Sequence, residues 1–80
     1  MSDTEKELDV RQIAPPQKHS TIFNTFENLE ANQAFILVND HDPKPLRYQM
    51  SAMMGDDAFQ WEYLEEGPAI WKIRIAKNAK

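Results

Sequence analysis

Apolar residues in this chain fall into separate blocks, and the spacing within each block predicts an element. Over Lys6 to Arg11, Leu8 and Val10 alternate with Glu7, Asp9 and Arg11, the period-two pattern of a short half-buried strand. Ile13-Ala14-Pro15-Pro16 ends it, because neither proline can donate to a ladder. Pro16 instead suits the start of a helix, where its missing N–H would be unpaired anyway. Ile22, Phe23, Phe26 and Leu29 then recur at helical spacing, which predicts one apolar stripe on a helix reaching Leu29 or Glu30. Glu30-Ala31-Asn32-Gln33 closes it, with Asn32 suited to a left-handed cap.

Ala34-Phe35-Ile36-Leu37-Val38 is apolar at every position, as expected of a central or doubly covered strand. It stops at Asn39. Asp42 is expected to cap a second helix with Pro43 at its first position. Leu46, Met50, Met53 and Met54 would form its buried stripe, and Gly55-Asp56-Asp57 would end it. Phe59, Trp61 and Tyr63 alternate with Gln60 and Glu62, and Trp71, Ile73 and Ile75 alternate with Lys72 and Arg74. Joined by the Glu65-Glu66-Gly67-Pro68 turn, these two runs read as an antiparallel hairpin.

The order is therefore β-α-β-α-β-β, an α+β two-layer sandwich. Short right-handed connections put both helices on one face of a four-stranded mixed sheet. The domain is expected over residues 6–76, with flexible ends at 1–5 and 77–80. Right-handed crossovers also bring three segments to one sheet edge: Pro15 to His19, Asn39 to Asp42, and the Glu65–Pro68 turn. Ligands in such sheets tend to sit off the carboxyl ends of strands.

Composition narrows the function. Eighty residues make one domain, and 41% hydrophobic with 28% charged residues is ordinary for a globular chain. The absence of cysteine removes disulfides, thiolate metal sites and thiol nucleophiles. A net charge of −4 with dispersed Lys and Arg argues against nucleic-acid or anionic-membrane surfaces. The acidic amino-terminal segment is unlike a signal peptide, and no apolar run is long enough to span a bilayer, so a cytoplasmic location is expected.

The candidate chemistry lies at Asn39-Asp40-His41-Asp42-Pro43-Lys44-Pro45-Leu46, where one of two histidines stands between two carboxylates. His19, His41, Asp40, Asp42 and Glu65 could together hold a divalent transition metal, which needs at least three ligands converging from separate segments. The competing reading is structural: Asp42 caps a helix and His41 donates to a nearby carbonyl in a proline-stiffened loop. Pro15, Pro16, Arg47, Tyr48 and Glu66 are further candidates for a ligand or partner edge. Arg47 is suited to an anion or, more simply, to pairing with Asp40 or Asp42. The row Phe59, Trp61, Tyr63 and Trp71 reads as core; the alternative is an exposed platform on the sheet face away from the helices, extended by Phe35 or Leu37.

Leu8-Asp9-Val10-Arg11, Pro15-Pro16-x-x-His19, Asn39-Asp40-His41-Asp42-Pro43-x-Pro45-Leu46-Arg47-Tyr48 and Trp61-Glu62-Tyr63-Leu64-Glu65-Glu66-Gly67-Pro68 resemble a bacterial family known as domain of unknown function 2249. That family looks related to the TusA/SirA sulfur carriers, which implies the same β-α-β-α-β-β sandwich. Its members stand alone or beside hemerythrin-like and cupin domains, implying redox or metal biology. The carriers place a reactive cysteine in a Cys-Pro-x-Pro motif after a Leu-Asp strand. Here Pro15 takes the cysteine's place and Pro16 the proline's, so sulfur transfer is excluded. The expected function is a non-enzymatic accessory module that docks on a redox or metalloprotein partner through the His41 edge and the open sheet face. The alternative is a small metal- or cofactor-binding protein. No nucleophile or oxyanion donor is identifiable, which places catalysis last.

Overall fold

The computed structural model describes residues 5–79. Its elements are β1 (Lys6–Asp9), α1 (Pro15–Glu27), β2 (Ala34–Asn39), α2 (Lys44–Met54), a short 3-10 turn (Asp56–Ala58), β3 (Phe59–Glu66) and β4 (Trp71–Lys77). The predicted order is present. The sheet runs β1-β2-β4-β3, with β1 parallel to β2 and β4 antiparallel to both β2 and β3. So β4 lies between β2 and β3, and the first three strands share a direction. Their carboxyl ends form one edge, as the crossovers require.

Period-two alternation decides what meets the helices. Leu8, Phe35, Leu37, Ile73 and Ile75 lie opposite one another in the register and pack against Ile22 and Phe26 of α1 and Leu46 and Met50 of α2. Both helices therefore cover one face. From β3 and β4, Phe59, Trp61, Tyr63 and Trp71 join that layer. Phe26, Phe59, Trp61, Tyr63 and Trp71 form a continuous edge-to-face series with centroids 6.2–6.4 Å apart, a geometry favoured by the ring quadrupoles.

This overturns the exposed-platform alternative. Phe35 and Leu37 are 1% and 0% exposed, and the aromatic row packs toward the helices. The opposite face carries Ile36 and charged residues, including Arg74 paired with Glu5 at 2.6 Å and Lys72 with Glu7 at 3.5 Å. A large apolar docking platform on the open face is absent among the described residues.

The ends of the elements differ from the sequence expectation wherever nonlocal partners intervene. Helix α1 stops at Glu27 with Asn28 as its cap, and Asn32 adopts a left-handed φ of 71° in the turn beyond it. Neither Asp42 nor any other side chain caps α2; Pro43 is its N-cap residue. Met53 is 63% exposed rather than buried, because the core-facing row of α2 runs through Leu46, Met50 and the partly buried Met54 at four-residue spacing and Met53 falls one position off it. Glu5 and Lys77–Asn78, assigned to flexible ends, are tied in: Glu5 by Arg74, Lys77 by the carbonyls of Glu27 and Leu29, and Asn78 by Asp57 and Gln60. Residues 1–4 and 80 lie outside the described part. Gly67, at φ +67°, has no room for a Cβ, which would sit 2.8 Å from the Trp71 ring. That aromatic contact and the left-handed turn explain a glycine there.

Candidate functional site

At the carboxyl edge, β2 delivers Asn39 to the helix-facing side, in phase with Phe35 and Leu37. The chain then turns through Asp40-His41-Asp42 into α2, while α1 begins just above, following β1. Between the two helix starts lies a recess of about 130 Å³. Val10, Ile22 and Leu46 form its apolar wall, and Lys18, His19, Asn39 and His41 supply its polar lining. The two histidines, separated in sequence, thus open on the same space.

The loop's carboxylates are spent locally. His41 Nδ1 stands 2.7 Å from Asp40 Oδ1. An ionised carboxylate only accepts, so Nδ1 carries the proton and Nε2 is left free. That bond holds the Asp40 carboxyl below its usual range, with the Lys18 ammonium adding to it. Asp42 accepts from the Tyr63 hydroxyl at 2.8 Å. Burial pushes the Tyr63 phenol up, and its donation to Asp42 works in the same direction. Both structural expectations for this loop are therefore corrected: Asp42 pins the loop to β3 instead of capping α2, and His41 donates to Asp40, not to a carbonyl. Beyond the recess, Arg11 chelates Asp9 through Nε and Nη2 at 2.9 and 2.6 Å and lowers its pKa to about 2.

The remaining candidates separate. Glu65 lies opposite Lys72 across a register shift in the hairpin, and Glu66 lies opposite Trp71. Neither lines the recess. Among the described residues, no three His, Asp or Glu side chains gather closely enough to hold a metal ion. Pro15 and Pro16 are exposed at the start of α1. Arg47 makes no ion pair among the described residues, so its expected pairing with Asp40 or Asp42 is absent. Tyr48 is 68% exposed, and both stand on the outer side of α2's first turns.

Two residues matter here that sequence reasoning passed over. Lys18 was one of several dispersed lysines until the fold set it beside the histidines. Asn39 headed the candidate stretch on the predicted edge but was given no role beyond ending an apolar strand. It is 5% exposed, and its amide Oδ1 is buried without a hydrogen-bond partner. A polar residue closing an otherwise apolar strand on the core-facing phase was the available signal.

The family described as Uncharacterized conserved protein (DUF2249) matches residues 7–77, and the chain belongs to it. No curated protein and no solved structure shows significant similarity to the chain. No helix among the described residues is long and apolar enough to cross a membrane.

Proposed function

We propose that this member of an uncharacterised family is a small non-catalytic binding module working through the recess between the starts of α1 and α2. The observation that carries this reading is the convergence of Lys18, His19, Asn39 and His41 on one space at the carboxyl edge, where open sheets of this kind place ligands. A protein partner would meet the rim, where Tyr48 and Arg47 are exposed. The partner class, a redox protein or metalloprotein, comes from the family resemblance. The open sheet face does not enter the proposal, because Lys72 and Arg74 there are paired with Glu7 and Glu5 and no large apolar platform is present among the described residues. Nor does a metal site, since a third protein ligand does not converge among the described residues.

A photo-crosslinking amino acid placed at position 48 in living cells tests this, with the same group at Glu62 on the opposite sheet face as the comparison. One specific adduct from position 48, lost when recess residues are changed and absent from position 62, is the expected result. Equal capture from both positions would sink the reading.

A further inference from the structure

We infer that the recess holds a small monocarboxylate with a short hydrocarbon tail, a ligand class that deepens the binding reading above and rests on it. The sign of the ligand's charge follows from the lining. Lys18, partly buried, faces the recess and makes no ion pair among the described residues. No carboxylate lines the space. Asp42 is turned to Tyr63, and Asp40 is held by His41 and feels Lys18 only at longer range. His19 and His41 border the recess as exposed rings. Either adds positive charge when protonated, but Lys18 sets the sign without them.

Two sets of donors meet that charge. Asn39 lines the recess and is more than nine-tenths buried. Its Oδ1 is sealed off without a partner, beyond reach of a ligand. Its Nδ2 is not sealed in this way and donates to no group among the described residues, so its N–H bonds are what the side chain offers to the recess. The start of α2 supplies the second set. It has no side-chain cap; Pro45 has no N–H, and Arg47 donates to the Pro43 carbonyl. The N–H groups of Lys44 and Leu46 are left without a partner among the described residues. Leu46 lines the recess, and first-turn N–H groups point out of a helix start, an arrangement that holds carboxylates. Helix α1 contributes no such set, because it opens on Pro15-Pro16 and Gln17 donates to the Ala14 carbonyl.

The walls decide the rest of the molecule. Val10, Ile22, Pro43, Pro45 and Leu46 make most of the lining apolar. An inorganic oxyanion would gain nothing from them, whereas a hydrocarbon tail leaves water there. A volume of 130 Å³ equals roughly four waters at liquid density, the scale of propionate or butyrate.

The test uses the full chain, isotope-labelled, at one fixed pH, with the Asn39 side-chain amide and the Val10, Ile22 and Leu46 methyls followed by NMR. Propionate and butyrate are the probes. Propylammonium keeps the tail and reverses the charge, phosphate keeps negative charge without a tail, and N-acetylalanine represents a peptide carboxyl terminus. Saturable shifts of the Asn39 amide and the methyls together are expected with either acid, at least about tenfold weaker with propylammonium and phosphate, as loss of a charge-assisted hydrogen bond or of the buried tail predicts. Lys18→Gln should weaken binding of the acids at least about tenfold with the rest of the spectrum unchanged. Asn39→Leu should weaken it by a similar factor, since it removes the side-chain donor. Equal affinity for propylammonium or phosphate, no saturable response to either acid, or undiminished binding by Lys18→Gln would overturn the inference. A preference for N-acetylalanine would overturn it in favour of a peptide terminus. If the acids fail but the position-48 adduct forms, the ligand class is wrong and the binding module stands; if both fail, both fall.

Discussion

At the amino end of β2, Lys77 exchanges backbone hydrogen bonds of 2.8 Å with Asn32 and Gln33. Its ammonium donates to the carbonyls of Glu27 and Leu29 at 3.1 and 2.8 Å and lies 5.2 Å from the centre of the Phe26 ring. A cation there satisfies the Glu27 carbonyl, which the end of α1 leaves free, and the Leu29 carbonyl in the turn beyond it. At the carboxyl end of the same strand, Asn39 has a buried amide oxygen with no partner. His41 keeps one ring nitrogen without a partner among the described residues, and its largely exposed side chain borders the recess. Polar groups at the first end are consumed by the fold, while those at the second are held in position by it and left available. That difference makes the carboxyl edge the candidate site and the amino end the anchor.

The largest expected effect strikes the anchor. Phe26→Ala removes a ring that is 3% exposed, and with it the edge contact to Phe59 and the surface beneath Lys77. Chemical denaturation should register a loss of about 3–5 kcal/mol. A loss below about 1 kcal/mol would show that the closed end is not packed as described.

A paired substitution sharpens the contrast. Lys77→Met keeps the apolar stem but strips the ammonium from two carbonyls, and it should cost about 1–2 kcal/mol. His41→Ala, at an exposed pair, should leave the urea midpoint within error of the parent. Equal destabilisation by the two changes would erase the distinction between anchor and site.

The smallest effect concerns acid. Arg74, through its hydrogen bonds to Glu5, holds that carboxyl below its ordinary 4.5. A depressed folded-state pKa gives stability that is present above the unfolded value and lost as pH falls through the folded one. Stability measured from pH 6 downward should therefore decline less steeply in Glu5→Gln than in the parent. The pair is part-exposed, so the difference will be modest and will shrink with added salt. An identical acid slope would show that the pair does not hold in solution.

Much of the architecture was legible because its physics is local. The alternation in Phe59-Gln60-Trp61-Glu62-Tyr63 and the helical spacing of Ile22 and Phe26 are properties of neighbouring residues, and they specified strand, helix and core face. The carboxyl edge followed from chirality and short connections. Met53 shows the limit of this reasoning: by spacing it fits the stripe as well as Met54 does, yet the core takes the row Leu46, Met50, Met54 and leaves Met53 exposed. The same holds for Asp42, whose helix-cap preference yields to a hydroxyl donor on a strand 21 residues away.

The sequence by itself determined the element order, the apolar faces, the edge on which a site would lie and, through the absence of cysteine, that persulfide chemistry is closed to this chain. Only the tertiary structure decided that β4 runs between β2 and β3, that Lys77 closes one end, and that Lys18, Asn39 and His41 share a recess while Glu65 stands outside it. Periodicity records how each segment divides between core and solvent. Which polar groups meet depends on strand order and helix placement, and those are set by packing among residues far apart in the chain.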